Sequence, residues 1–165
     1  MEEALYVKES SQTIFIRAQG HVTAALCSDL KGRIFERLEA KPPVENVFVD
    51  LSTCDYMDST FLGLLVGINK RFLRFSERPL TVVRPSRPCT DLLRTIGILR
   101  LVRVLVEPVE FPEGMEAIVT SEKATAEFLL DVHENLMDLS EENRRKFSTL
   151  YTVLKSQIGT SGEDQ

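Results

Sequence analysis

The sequence predicts an α/β domain in which helices pack on a mixed, mainly parallel sheet, followed by a C-terminal helical extension. Five short segments rich in β-branched and aromatic residues occur between residues 4 and 106, and helical patterns separate the later ones. This alternation requires crossover connections between parallel strands, whereas the first two segments are close enough for an antiparallel hairpin. From residue 121 the patterns are helical.

The first elements are a hairpin and an amphipathic helix. Strands are predicted at residues 4–8 and 13–19. After them the apolar spacing changes to three and four residues, which predicts a helix that Thr23 caps and that ends before Pro42. The apolar positions of this helix are Cys27, Leu30, Ile34 and Leu38.

The next strand and helix contain a pair of glycines. Residues 44–51 are predicted as a strand and residues 60–75 as a helix. Gly63 and Gly67 lie one turn apart in that helix, where each glycine costs roughly 1 kcal/mol relative to alanine. Their spacing therefore predicts a helix face pressed closely against another element.

Three shorter elements complete the domain. Residues 80–83 are predicted as a strand, residues 88–96 as a helix ended by Gly97, and residues 101–106 as the last strand. The α/β domain is therefore assigned to residues 1–108. A linker is predicted over residues 109–120, because proline and glycine interrupt it.

The C-terminal extension, predicted over residues 121–158, carries two apolar stripes. The first consists of Phe128, Val132, Leu136 and Leu139, and the second of Phe147, Leu150, Leu154 and Ile158. A polar stretch separates them, so either Ser140 caps a second helix or one long helix continues; two helices are favoured. The stripes must pack against the α/β domain or a second copy, and a homodimer is favoured. Residues 159–165 are predicted to be disordered.

Composition excludes several classes of protein. With 165 residues, 43% hydrophobic and 27% charged, the chain is expected to be one soluble domain that needs no disulfide. The three cysteines are odd in number and far apart, which indicates reduced thiols in a cytosol. The acidic N-terminus does not resemble a signal peptide, and the longest apolar-plus-glycine run, eight residues, is too short to span a membrane.

Charge is distributed unevenly. Residues 70–103 carry 9 Lys/Arg and 2 Asp/Glu, whereas residues 1–69 carry 6 and 10, and residues 104–165 carry 5 and 13. This basic belt can meet nucleic acid, a nucleotide phosphate, an acidic partner or the chain's own acidic C-terminal part. A solvated surface partly neutralised by the C-terminal part is favoured, because the belt lacks interleaved aromatic residues.

Candidate catalytic chemistry is sparse. His21 and His133 are far apart in sequence, and a lone histidine is more often a surface or satisfied residue than a catalyst. The sequence contains no phosphate-binding loop, nucleophile elbow or metal-ligand spacing. No cofactor or metal is expected.

The segment after the third strand is the candidate site. Asp50, Asp55 and Asp58 are predicted to crowd one loop at the carboxyl edge of the sheet, where binding sites collect in α/β folds. Ser59 is predicted as the N-cap of the following helix, with an exposed hydroxyl. Phe61 and Leu62 follow two and three residues after Ser59. Neighbouring residues on a helix point about 100° apart, so both seldom face the core. One of them is therefore predicted to form an apolar contact surface beside the modifiable hydroxyl of Ser59.

Three stretches of this segment resemble the D-L-S…F-M-D-S-S-G-L-G signature of the STAS domain, as found in bacterial anti-sigma factor antagonists. They are Asp50-Leu51-Ser52, Tyr56-Met57-Asp58-Ser59-Thr60 and Leu62-Gly63. In that family, the serine directly after Met-Asp is phosphorylated by a partner that is both an anti-sigma factor and a protein kinase. By this resemblance, Ser59 is the phosphorylation site.

The resemblance also implies partners and binding residues. The partners are an anti-sigma factor/serine protein kinase and a serine phosphatase of the partner-switching type, with no direct contact to nucleic acid or membrane. The chain is then a cytoplasmic, non-enzymatic binding module. Its expected partner-binding residues are His21, Thr23, Asp55, Met57, Asp58, Thr60 and Phe61. The sequence departs from the family at residues 20–23, where an acidic loop is frequent, and at Phe61, where a small residue is usual.

Two other function classes remain. The chain can be a scaffold subunit of a stressosome-like assembly that uses its C-terminal helices to oligomerise or sense a signal. An enzyme or nucleotide-binding protein that uses the basic belt is disfavoured, because no phosphate loop or pair of catalytic groups is present.

Overall fold

A computed structural model of the chain describes residues 2–119 and 124–163. Its helices and strands follow the predicted order, with one further short strand before the extension. The elements are β1 (Ala4–Ser10), β2 (Thr13–Val22), α1 (Ala24–Glu39), β3 (Asn46–Met57), α2 (Ser59–Leu73), β4 (Thr81–Val83), α3 (Arg87–Ile96), β5 (Arg103–Leu105), β6 (Glu116–Ala117), α4 (Ala126–Met137) and α5 (Glu141–Glu163).

The sheet has the predicted mixed topology. Its strand order is β5-β4-β3-β2-β1-β6. Strands β2 to β5 pair in parallel, and β1 pairs antiparallel with both β2 and β6. Strand β6 lies within the segment predicted as a linker, and its two exposed residues are too few to give an alternating pattern.

The hairpin turn between β1 and β2 has positive φ angles at Ser11 and Gln12, 51° and 62°. Two consecutive residues with positive φ are the geometry of a tight two-residue turn whose twist matches that of the flanking strands. The predicted helix end at Gly97 is also confirmed, because Gly97 takes a left-handed conformation with φ of 93°.

Strand β3 is longer than predicted. The segment expected to form a loop after residue 51 continues as a strand to Met57, because it keeps pairing with β2 as far as Val22. The predicted end rested on the polar residues Ser52 and Thr53, which instead lie within the strand, and the register shifts twice along this pairing. Asp50 is therefore in the middle of a strand, and its carboxylate accepts a hydrogen bond from Arg17 Nε at 3.1 Å.

The C-terminal extension forms two helices, as predicted. Ser140 Oγ accepts a hydrogen bond from the backbone N–H of Asn143 at 3.0 Å, which is the predicted cap of the second helix. Helix α5 continues through Glu163, so the structure differs from the disorder predicted from residue 159, while residues 164–165 and the predicted helical residues 121–123 lie outside the described ranges.

The apolar stripes of the extension are buried within the chain. Helix α4 packs on α2, and α5 packs on α4. The buried members of the stripes are Phe128, Val132, Leu136, Phe147 and Leu154. Leu150 is 40% exposed, so its predicted burial is wrong. The expectation of a homodimer rested on apolar surface in need of a second copy, and cis packing on α2 removes that reason.

The cysteines are buried, and the basic belt contacts the extension. Cys27, Cys54 and Cys89 are free and buried. Burial raises the pKa of the Cys27 thiol, which keeps it protonated and unreactive. In the belt, Arg100 donates a hydrogen bond to the carbonyl oxygen of Leu139 at 2.9 Å, at the end of the turn after α4. Within the described ranges, no helix combines the length and apolar character needed to cross a membrane.

Candidate functional site

The candidate site is the junction between β3 and α2. Asp58, not Ser59, is the N-cap of α2, and Ser59 is the first helical residue. The Asp58 Oδ1 atom accepts a hydrogen bond from the backbone N–H of Phe61 at 3.0 Å. A carboxylate at this position satisfies a helix donor that would otherwise have no partner.

The same carboxylate caps a second helix. Asp58 Oδ2 accepts from the backbone N–H of Ala24, the first residue of α1, at 2.9 Å. Thr23 occupies the N-cap position of α1, as predicted, but its hydroxyl donates to Glu3 at 2.7 Å instead of capping the helix. Burial raises the pKa of Asp58, and the N–H bonds to its carboxylate act in the opposite direction.

The hydroxyl of Ser59 is bound by a histidine of the extension. Ser59 Oγ lies 2.7 Å from His133 Nε2, and His133 Nδ1 lies 2.6 Å from the carbonyl oxygen of Leu129. A carbonyl only accepts, so Nδ1 carries a proton that it donates to the Leu129 oxygen, and Nε2 is the ring atom that shares a hydrogen bond with the serine hydroxyl. His133 is 2% exposed and its ring lies 5.5 Å from that of Phe147.

His133 was not singled out as a site residue from the sequence. A signal was nevertheless present, since His133 lies four residues after Leu129 and three before Leu136, on the apolar side of α4. A histidine inside an apolar stripe requires a polar partner when the stripe is buried. The sequence does not indicate that this partner is Ser59, 74 residues earlier.

The two glycines of α2 face the extension, which confirms the prediction of a closely packed face. A Cβ atom at Gly63 would lie 2.1 Å from the backbone oxygen of Val132, too close for any side chain. At Gly67 it would lie 3.0 Å from Asn135 Nδ2. Asn135 Nδ2 also donates to the carbonyl oxygen of Gly63 at 3.2 Å.

A groove of about 580 Å³ lies beside Ser59. Met57, Leu62, Leu92 and Phe147 give it an apolar wall, and Lys146 of α5 lines it as well. Ser59 is half-buried, so small molecules reach it from this groove while α4 covers its other side.

The predicted partner-binding residues differ in exposure. His21 and Asp55 are exposed, and Thr23 and Asp58 are half-buried, as is the predicted phosphorylation site Ser59. Met57, Thr60 and Phe61 are buried, at 0%, 4% and 0% exposure. Phe61 belongs to the hydrophobic core, so it supports α2 from inside and offers no surface to a partner in this conformation.

Two expectations about this segment are wrong. Phe61 and Leu62 are both buried, because Phe61 lies in the core while Leu62 lies beside Phe147 of the extension. The three acidic residues do not share one loop: Asp50 pairs with Arg17, Asp55 is exposed on β3, and Asp58 caps two helices.

Comparisons with known proteins agree on the α/β domain. A family model described as "Mlab, STAS domain" matches residues 5–106. No curated protein matches the chain. The structure of the anti-sigma factor antagonist SpoIIAA in its unphosphorylated form has a TM-score of 0.54 and 16% identity, over 63% of this chain and 90% of that chain.

Two further solved structures are similar. The Thermotoga maritima protein TM1081 has a TM-score of 0.53 and 19% identity, over 61% of this chain and 85% of that chain. The phosphorylated form of the Bacillus protein SpoIIAA has a TM-score of 0.51 and 16% identity, over 63% of this chain and 93% of that chain. At such identities the likeness shows the fold alone. The family match ends before β6, so α4 and α5 lie outside it.

Proposed function

This chain belongs to the STAS domain family, and we propose that it is an anti-sigma factor antagonist controlled by phosphorylation of Ser59. In its unmodified state it binds an anti-sigma factor that is also a serine protein kinase, and thereby releases a sigma factor. The observation that carries this proposal is the placement of Ser59 on the first turn of α2, within the segment that carries the family signature.

Charge explains how the modification would end binding. A phosphate adds about −1.5 to −2 charges at pH 7. It would stand beside the exposed Asp55 and the half-buried Asp58. The N-terminus of α2 favours an anion by roughly 0.3–1 kcal/mol, so the domain tolerates the phosphate while its surface changes charge.

The wider proposal names the remaining components. A serine phosphatase of the partner-switching type restores the hydroxyl, and the exchange takes place in the cytoplasm. The chain acts as a binding module and not as an enzyme. It acts as a monomer, because α4 buries its apolar stripe against α2 of the same chain and α5 packs on α4.

The alternative is a scaffold subunit of a stressosome-like assembly. It is favoured by one observation, the helix pair beyond the family match, which such an assembly would use for contacts between subunits. Light scattering separates the two functions, because a scaffold has a mass far above that of a dimer and a partner-switching antagonist does not.

Ser59→Ala is expected to abolish phosphorylation. The wild-type chain, incubated with ATP and a serine kinase of the histidine-kinase-like ATPase type encoded beside its gene, should be labelled at Ser59. Thr60 is the neighbouring hydroxyl, and because it is 4% exposed, Thr60→Ala is the matched control that should still be labelled. Equal labelling of Ser59→Ala and the wild type contradicts the proposal.

Ser59→Asp is expected to weaken binding to that kinase at least tenfold, about 1.4 kcal/mol. The carboxylate is favourable at a helix N-terminus but unfavourable in a desolvated interface. Calorimetric titration measures the affinity, and a thermal melt within about 4 °C of the wild type shows that the fold is kept. A large fall in melting temperature would instead assign Ser59 a structural role.

A further inference from the structure

The surface of α2 beside Ser59 is already occupied by part of the same chain. Helix α4 lies along it, with Phe128, Val132 and Leu136 buried at 6%, 3% and 0% exposure. Helix α5 closes the other side of α4, since Tyr151 donates to Glu134 at 3.0 Å. Leu62 of α2 lines the same groove as Phe147 of α5 and is 3% exposed.

The approach of α4 to α2 leaves no space for another protein. At Gly63 the backbones come so close that an added Cβ would overlap the carbonyl of Val132 at 2.1 Å. Asn135 of α4 also holds the two helices together here, because its side chain donates to the Gly63 carbonyl oxygen at 3.2 Å. A partner that uses this face of α2 must therefore displace α4.

The residue to be modified takes part in this closure. The Ser59 hydroxyl is bonded to His133, which the turn of α4 holds in place through Leu129. A protein kinase needs that hydroxyl free and its surroundings accessible. Phosphorylation replaces the hydroxyl proton of Ser59 with a phosphate group, which needs space beside His133, a side chain that is 2% exposed.

From these contacts we infer that α4 is an intramolecular competitor of the partner: it binds the Ser59 hydroxyl and covers the adjoining face of α2 in cis, and both partner binding and phosphorylation of Ser59 require it to move away. This inference rests on the proposed function for the identity of the partner. Because binding equilibria are reciprocal, the partner holds α4 open to the same extent that α4 excludes the partner.

The partner surface that fits is also defined by α4. It is an apolar helix face with a small polar patch, since α4 presents Phe128, Val132 and Leu136 together with His133 and Asn135. Recognition of this type, in which an amphipathic helix lies against an apolar face, uses anchors spaced three and four residues apart. A partner segment that replaced α4 on this face would need the same pattern of apolar anchors.

The first experiment uses the full chain and separates α4 from α2 by adding a side chain at their contact. Gly63→Ala places a methyl group against the Val132 backbone, whereas Gly32→Ala is the matched helical control, because nothing lies within 4 Å of its added Cβ. We expect Gly63→Ala to accelerate hydrogen exchange of α4 at least tenfold, with the sheet unchanged. The kinase that labels Ser59 should label this variant at least tenfold faster than the wild type, and Gly32→Ala at the wild-type rate.

The outcomes separate this inference from the proposed function. Faster exchange of α4 with labelling at the wild-type rate overturns the inference. Unchanged exchange in Gly63→Ala and in the bulkier Gly63→Leu overturns it as well, because α4 would then not lie on Gly63. If no variant is labelled at Ser59, the proposed function fails, and a second readout without the kinase decides the inference.

That readout is thiol accessibility. Ser59→Cys is reacted with N-ethylmaleimide and with a maleimide carried on a small folded protein, and Ser52→Cys on exposed β3 is the reference, since the natural cysteines are buried. The ratio of the rate with N-ethylmaleimide to the rate with the protein-linked maleimide should be at least tenfold higher at position 59 than at position 52. Adding Gly63→Ala should remove this difference. Equal ratios at both positions in the chain with Gly63 intact overturn the inference.

Discussion

Asn143→Asp is expected to detach the C-terminal helices and to lower the free energy of unfolding by about 3–5 kcal/mol, the cost typical of a buried charge without a partner. Asn143 is 2% exposed, and its Nδ2 atom donates to the carbonyl oxygens of Ile96 and Leu136, both at 2.9 Å. These two bonds join α5 to the ends of α3 and α4. An aspartate of the same shape has no donor and sets a negative charge against two carbonyl oxygens.

Denaturant unfolding at pH 7 measures this loss, and Gln157→Glu is the matched control. It makes the same change from amide to carboxylate on an exposed position of α5, so we expect a change within about 1 kcal/mol. The loss in Asn143→Asp should shrink as the pH falls, because a protonated aspartate can donate to one of the two carbonyls. A loss below about 1 kcal/mol at pH 7 would mean that the junction is open to water.

Much of the fold was predictable because it depends on local pattern. The helix of residues 24–39 has apolar spacing and an N-terminal cap position, and α3 ends at a glycine that adopts a left-handed conformation. The glycine pair of α2 predicted close packing, since glycine in a helix interior needs a compensating contact. The length of β3 was not predictable, because pairing with β2 and not its own composition extends it.

The site was predictable only in part, because some of its contacts also come from residues that are distant in sequence. Ser59 is found through a contiguous motif, whereas its partner His133 lies on α4, 74 residues later in the chain. Leu62 likewise shares its groove with Phe147 of α5, which is distant in sequence. The extension was expected to bury its apolar stripes, but sequence periodicity names the buried face of a helix and does not name the surface that covers it.

The double role of Asp58 shows how long-range pairing creates a contact that local pattern does not contain. The backbone N–H of Asp58 donates to the carbonyl oxygen of Val22 at 3.0 Å, which continues the β2–β3 pairing beyond Met57. This bond sets the end of β3 beside the start of α1. The carboxylate of Asp58 then reaches N–H groups of both α1 and α2, although the sequence places it before α2 alone.

Asp58→Ala is therefore expected to destabilise two helix N-termini at once. Loss of one cap costs about 0.5–2 kcal/mol, so the free energy of unfolding should fall by about 1–4 kcal/mol. The free energy of unfolding of Asp58→Asn should lie between those of Asp58→Ala and the wild type. The amide oxygen can cap one helix, but the N–H₂ group then faces the N–H donor of the other. Asp55→Ala, on the exposed part of β3, is the control and should change stability by less than about 0.5 kcal/mol.

Hydrogen exchange distinguishes this structural role of Asp58 from a role in partner binding alone. In Asp58→Ala the first turns of α1 and α2 should exchange faster together, because one carboxylate serves both. Ser59 would then lose its fixed place on the first turn of α2, and weaker partner binding would follow from disorder of that turn. If only α2 exchanges faster, Asp58 does not stabilise α1, and the shared cap is not supported. If stability is unchanged while binding is lost, Asp58 acts on the partner directly.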